Sequence, residues 1–280
     1  MSQPPLDVPA LLKRYALRPD KRLGQNFLTD PAALERVVET AEVKVGDTIL
    51  EVGPGLGSLT RLLAARARRV VAVEIDTSLI KPLEEVLSIY PNVQVVRGDI
   101  LGLDPAQLMA DQGYLVVANI PYYITSNLIR HLLEARIQPK RMVLTVQREV
   151  AERITARPGA MSLLALSVQV FGQPTITARI PAGAFYPAPK VDSAVVRVDL
   201  FNSPQIPASQ LASFFRLAKA GFSQKRKMLR NALAGGMHWT PAQAEAILQA
   251  AGIDPQRRAE TIRIDEWGQI VDSYQAWMER

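Results

Sequence analysis

Thr48-Ile-Leu-Glu-Val-Gly-Pro-Gly-Leu-Gly-Ser-Leu-Thr60 is the stretch that decides the fold. Thr48–Val52 is a short apolar run of the kind that forms a strand buried on both faces. The glycines at 53, 55 and 57 break it, and Leu59, Leu62, Leu63 and Arg66 then fall at helical spacing. Glycine in a strand-to-helix turn lets the backbone bend sharply and approach a ligand closely. A dinucleotide-binding turn has the spacing G-x-G-x-x-G. Here the third glycine comes one residue early, Ser58 follows it, and the acidic Glu51 precedes the first glycine. These details favour a pocket for S-adenosylmethionine over one for a pyrophosphate, because that methyl donor carries no phosphate for a helix N-terminus to face.

The pattern repeats outward from this turn. Residues 70–75, 93–96 and 114–118 are short, Val/Ile-rich runs, and Leu79, Leu83, Val86 and Leu87 supply a helical face between the first two. Strand, helix, strand, helix predicts a parallel sheet with right-handed crossovers. Residues 142–146, 175–180 and 194–200 add further strands. The expected class is α/β: a doubly wound, mostly parallel, Rossmann-like sheet. Residues 201–207 (FNSPQIP) read as a linker, and beyond them only helical periodicity remains, punctuated by Gly235, Gly236 and Gly252. The expected division is a catalytic domain over 1–207, including an N-terminal extension, and a small all-helical domain over 208–280. The longest charge-free window, 158–178, contains Gln169, Gly172, Gln173 and Pro174, so it reads as a buried helix followed by a strand and not as a membrane span.

Composition removes whole classes of chemistry. The 280 residues include no cysteine and only His131 and His238 as histidines, which excludes disulfides, thiolate nucleophiles and multi-histidine metal sites. No metal is expected. The 33 basic residues exceed the 27 acidic ones, for a net charge of +6, which favours an acidic partner such as nucleic acid. The N-terminus lacks the pattern of a secretory signal, so the cytoplasm is the expected compartment.

Three polar residues fall at the ends of successive strands. Glu74 comes 21 residues after Gly53, and its two oxygens can each accept from a ribose hydroxyl. Asp76, directly before a helical run, suits a helix N-cap better. Asp99 can accept from an adenine amino group, although read alone it is equally a loop cap. Asn119 opens Asn119-Ile-Pro-Tyr-Tyr123. An exocyclic adenine amine is a poor nucleophile because its lone pair is delocalised into the ring. Hydrogen bonds from it to the Asn119 side-chain oxygen and the Ile120 carbonyl would draw the nitrogen toward a tetrahedral shape. Pro121 ends the strand, and Tyr122 can stack on a flipped base.

In order and spacing, Leu23-Gly-Gln-Asn-Phe-Leu28, residues 51–60, Val73-Glu-Ile-Asp76, Gly98-Asp-Ile100 and Asn119-Ile-Pro-Tyr122 resemble the ribosomal RNA adenine dimethyltransferases. Phe185-Tyr-Pro-Ala-Pro-Lys-Val-Asp-Ser193 and Phe222-Ser-Gln-Lys-Arg-Lys227 extend the resemblance over nearly the whole chain. It is closest to the bacterial KsgA type, which dimethylates two adjacent adenosines near the 3′ end of small-subunit (16S) rRNA. The resemblance implies a class I methyltransferase sheet and S-adenosylmethionine as donor. It places the donor on Asn26 and Leu28, with Gln25 in the same stretch, and on Gly53, Gly55, Glu74, Ile75, Asp99, Ile100 and Asn119. It implies a catalytic loop of Asn119, Ile120, Pro121 and Tyr122, with Phe185 as a second aromatic wall; read alone, Phe185 is equally core. The Leu23–Leu28 stretch, read alone, is equally a helix entry capped by Asp30. Two other readings share these motifs: a large-subunit (23S) dimethylase, and an assembly factor whose subunit binding matters more than catalysis. Nothing suggests an obligate oligomer, so a monomer is expected.

Lys219, Lys225, Arg226, Lys227 and Arg230 form an acid-free cluster interleaved with Phe214, Phe215 and Phe222, and are the expected RNA contacts. A second group, Arg130, Arg136, Lys140, Arg141, Arg148, Arg153 and Arg157, is diluted by Glu134, Glu149 and Glu152.

Overall fold

The computed structural model describes residues 4–109 and 113–279. Its elements run α1 (Val8–Arg14), β1 (Phe27–Leu28), α2 (Pro31–Ala41), β2 (Thr48–Val52), α3 (Ser58–Ala64), β3 (Arg69–Glu74), α4 (Thr77–Leu87), β4 (Val93–Arg97), α5 (Pro105–Leu108), β5 (Leu115–Asn119), α6 (Thr125–Leu133), β6 (Arg141–Gln147), α7 (Arg148–Ile154), α8 (Leu163–Gln169), β7 (Gly172–Ile180), β8 (Phe185–Tyr186), β9 (Ser193–Leu200), α9 (Leu211–Gly221), α10 (Leu229–Met237), α11 (Pro241–Ala250) and α12 (Ile264–Met278).

The main sheet has seven strands in the order β4-β3-β2-β5-β6-β9-β7, and β1 pairs with β8 apart from it. Strands β4, β3, β2, β5 and β6 are parallel neighbours, and β9 runs antiparallel to β6. Every residue of β2 is buried, as a central strand covered on both faces requires, whereas β4 at the edge is half-exposed. The chain leaves β2 toward β3 and β4, then returns to β5 on the other side of β2. That reversal is the switch point where open α/β sheets bind ligands, beyond the carboxyl ends of the strands.

The chain divides into two compact units, Met1–Ala151 with Pro174–Leu200, and Glu152–Gln173 with Phe201–Arg280. This corrects the boundary expected after residue 207. The charge-free window does form a buried helix followed by a strand, α8 and β7, but α8 belongs with the helices. Phe171 stacks on Phe215 at 6.2 Å, and the Phe201 and Gln205 amides donate to the Phe171 and Val170 carbonyls. The helical unit is built around Trp267, which is fully buried and stacked against Phe222 at 6.2 Å. Among the described residues, no helix is long and apolar enough to cross a membrane.

Candidate active site

The turn after β2, the ends of β3 and β5, the loop after β4 and the segment before β1 enclose one cavity of about 410 Å³. Gln25, Asn26, Leu28, Gly53, Gly55, Glu74, Ile75, Asp99, Ile100 and Asn119 all line it, together with Ile120 and Pro121. The residues expected around a methyl donor are thus brought together. The side chain of Tyr122 lies outside the described residues. Tyr123, not singled out in the sequence, lines the cavity and is 56% exposed.

Gly53, Gly55 and Gly57 all adopt positive φ, at 70°, 60° and 88°, so this turn is built from a conformation that side chains disfavour. A Cβ on Gly55 would sit 2.9 Å from the Phe27 ring. The Gly55 amide donates to Glu74 Oε2 at 3.0 Å, and the Asp76 amide donates to Glu74 Oε1 at 2.9 Å. Each carboxylate oxygen keeps a lone pair for a further donor, which is what two ribose hydroxyls require. Burial nevertheless raises the Glu74 pKa, outweighing the two amides. Asp76 caps α4 by accepting from Ser78, and Asp99 accepts from the Leu101 amide while still lining the cavity.

Glu51 is a site residue that the sequence flagged only by its spacing. It lines the cavity, is 1% exposed, and its Oε2 has no hydrogen-bond partner. Burial, with the charge of Glu74 adding to it, pushes its pKa up to about 8. A buried carboxyl with one unpartnered oxygen, a glycine turn in a conformation that side chains disfavour and carboxylates at separate points of one wall suit a ligand that carries an ammonium group, a ribose and an adenine. S-adenosylmethionine is such a ligand.

The N-terminal segment forms the remaining wall. Val8 and Leu12 of α1 pack with Phe27, Leu56 and Leu79, and Tyr15 and Arg14 both engage Glu85 on α4. Asn26 Nδ2 donates to the Gly24 carbonyl at 3.1 Å, and Asn119 Nδ2 donates to the Asn26 carbonyl at 2.9 Å. Asp30 caps α2, so the capping role read from the sequence coexists with the cavity wall.

Other expectations are corrected. Phe185 is 5% exposed, sits opposite Leu28 in the β1–β8 pair and belongs to the core cluster with Val117, Val143 and Val195; it does not line the cavity. Lys219, Lys225, Arg226 and Lys227 are exposed, but Arg230 is held by Glu245 at 2.9 Å. Phe214 is fully buried, and Phe222 lies against Trp267 instead of being displayed beside the lysines. In the second basic group, Arg130 pairs with Glu134, Lys140 with Asp47, and Arg141 with Glu42 and Asp199.

The sequence model of a family described as "Ribosomal RNA adenine dimethylase" matches residues 17–276. A protein of Dehalococcoides mccartyi (strain CBDB1) named "Ribosomal RNA small subunit methyltransferase A" is 44% identical over 265 residues, which are 94% of this chain and 91% of that protein. One of the same name from Moorella thermoacetica is 42% identical over 277 residues, covering 95% and 96%. Among solved structures, the 23S rRNA methyltransferase ErmE superposes with a TM-score of 0.71 at 31% identity, over 89% of this chain and 100% of that one. A dimethyladenosine transferase from Plasmodium falciparum shares the fold, with a TM-score of 0.76 at 24% identity, over 89% and 98%.

Proposed function

Because the chain belongs to the ribosomal RNA adenine dimethylase family, we propose that it methylates N6 of two adjacent adenosines near the 3′ end of small-subunit (16S) rRNA, twice each, giving N6,N6-dimethyladenosine during ribosome assembly. The small-subunit target is supported by relatives named for that subunit, which are more similar in sequence than the large-subunit enzyme. The observation that carries the chemistry is the convergence of Glu74, Asp99 and Asn119 on one cavity at the switch point of the sheet.

S-adenosylmethionine supplies a methyl group already activated by its sulfonium centre. Glu74 would take the ribose hydroxyls and Asp99 the adenine amine, with Asn26, Leu28, Gly53, Gly55, Ile75 and Ile100 forming the rest of the pocket. Asn119 Oδ1 and the Ile120 carbonyl would accept the two hydrogens of the target amine and localise its lone pair. No strong base is needed before attack, and the proton leaves afterward from a cationic amine, which accounts for a site without cysteine or histidine. The helical unit would dock RNA through Lys219, Lys225, Arg226 and Lys227, gripping helix shape and phosphates while one unpaired adenosine enters the pocket. The enzyme would act in the cytoplasm as a monomer.

The test is transfer from labelled S-adenosylmethionine to unmethylated small and large subunits in parallel, with nucleoside analysis. Dimethyladenosine in the small subunit alone is expected. Label in the large subunit overturns the target, and label in neither overturns the activity. Asn119→Ala should abolish methylation and leave subunit binding intact.

A further inference from the structure

Gln25 lines the cavity, yet both ends of its side-chain amide are engaged within the protein. Its Oε1 accepts from the Asp20 backbone amide at 2.7 Å, and its Nε2 donates to Asp76 Oδ2 at 2.6 Å. The other oxygen of Asp76 caps α4 through the Ser78 amide at 2.9 Å, and the Asp76 amide holds Glu74. The residue after Gln25 presents its carbonyl to Asn119 Nδ2 at 2.9 Å. A primary amide turned by half a rotation exchanges its acceptor for its donors. A backbone carbonyl can only accept, so the Asn26 carbonyl selects the rotation of Asn119 that leaves Oδ1 to face an incoming amine.

We propose that Gln25 is a positioning residue for methyl transfer: it latches the segment from Asp20 to Asn26 onto the start of α4, and the Asn26 carbonyl held there fixes the Asn119 amide in its amine-accepting orientation. This rests on the reading of Asn119 as the residue that receives the target amine. It also departs from the sequence expectation that Gln25 is itself a donor ligand. The latch joins two parts of the site that the chain order separates, the ribose carboxylate after β3 and the catalytic amide at the end of β5.

A charge-conserving swap tests it. Gln25→Glu sets a carboxylate against the Asp76 carboxylate. Asp76→Asn keeps the helix cap through its carbonyl and turns an amino group onto the Gln25 amino group. Together, the introduced carboxylate accepts from both the Asp20 amide and the introduced side-chain amide, and the latch closes with reversed polarity. Each single variant is expected to lose about tenfold or more in kcat at saturating donor, since small misplacements of a catalytic group carry costs of that order. The double variant is expected to recover most of that loss. Trypsin, applied without donor or RNA, should cut after the exposed Lys21 and Arg22 faster in the singles and at the wild-type rate in the double. An unchanged kcat with only KM for the donor raised would make Gln25 a ligand and overturn the latch, as would a double variant no better than the worse single. Wild-type protein that methylates neither subunit overturns the functional reading instead, and the trypsin pattern still decides whether Gln25 latches the segment.

Discussion

Glu51 and Glu74 face the same cavity from neighbouring parallel strands, and the charge on Glu74 makes Glu51 harder to ionise. The two carboxyls are not equivalent. Glu74 has two backbone amides to stabilise its ionised form, whereas Glu51 leaves one oxygen without a partner. Burial raises both, and Glu51 reaches about 8. The neutral acid is therefore the form of Glu51 that its buried setting favours.

That asymmetry sets a pH dependence. The folded pKa of Glu51 lies above its unfolded value, so between the two the unfolded chain binds fewer protons and stability falls as pH rises. The contribution is complete below the ordinary carboxyl pKa and lost above about 8. Glu51→Gln removes the titration. Thermal unfolding should show the variant close to wild type at about pH 5 and more stable at about pH 8, by on the order of a few kcal/mol. Equal shifts at both pH values would mean that Glu51 is not the group that titrates.

Two adjacent glycines in α10 should respond differently to alanine. A Cβ on Gly236 would lie 2.6 Å from Ala220 Cα and Cβ, where α10 crosses α9 and the obstacle is backbone. A Cβ on Gly235 meets only the side-chain amide of Gln224, at 3.3 Å. Alanine gains about 1 kcal/mol of helix propensity at either place. At 236, overpacking of about 1–3 kcal/mol opposes it. Gly236→Ala should lower stability in chemical denaturation, and Gly235→Ala should leave it unchanged or raise it.

Gly55→Ala tests whether the turn after β2 is a close-approach site. Alanine at a φ of 60° costs about 1–2 kcal/mol, and its Cβ would press on the Phe27 ring at 2.9 Å. Phe27 is 8% exposed and packs with Val8, Leu12, Leu56 and Leu79, so it has little room to yield. The turn would shift and carry the Gly55 amide away from Glu74. Calorimetric titration with S-adenosylhomocysteine should show affinity reduced about tenfold or more, which corresponds to about 1.4 kcal/mol. Unchanged affinity would show that the turn does not contact the cofactor.

What the sequence made legible was mostly local. Thr48–Val52 could be read residue by residue because a strand buried on both faces has no polar interruptions. The glycine turn, Glu74 and Asn119 follow directly from strands of that kind. Phe185 leaves no such trace, because the two-residue strand that sets it opposite Leu28, some 160 positions away, and against the core is too short to show a periodicity. The unit boundary was hidden for a similar reason: an apolar run such as α8 shows that it is buried but not in which core. Arg230 reads as part of a basic run because the residue that holds it, Glu245, lies fifteen positions on, on the next helix.

That ion pair divides the basic cluster into two kinds of residue. Lys225, Arg226 and Lys227 are exposed in the turn between α9 and α10, whereas Arg230 is half-buried against Glu245. Each phosphate contact contributes about 0.7–0.9 to the slope of log affinity against log salt. Replacing Lys225, Arg226 and Lys227 together by alanine should weaken small-subunit binding and flatten that slope by about 2, with donor binding unaltered. Arg230→Ala should leave the slope unchanged and act on stability, modestly, because the pair it breaks is partly solvated. Filter binding across a range of salt measures both slopes. A triple variant with the wild-type slope would remove the turn from the RNA interface, and a flattened slope in Arg230→Ala would show that Glu245 releases its partner to the RNA.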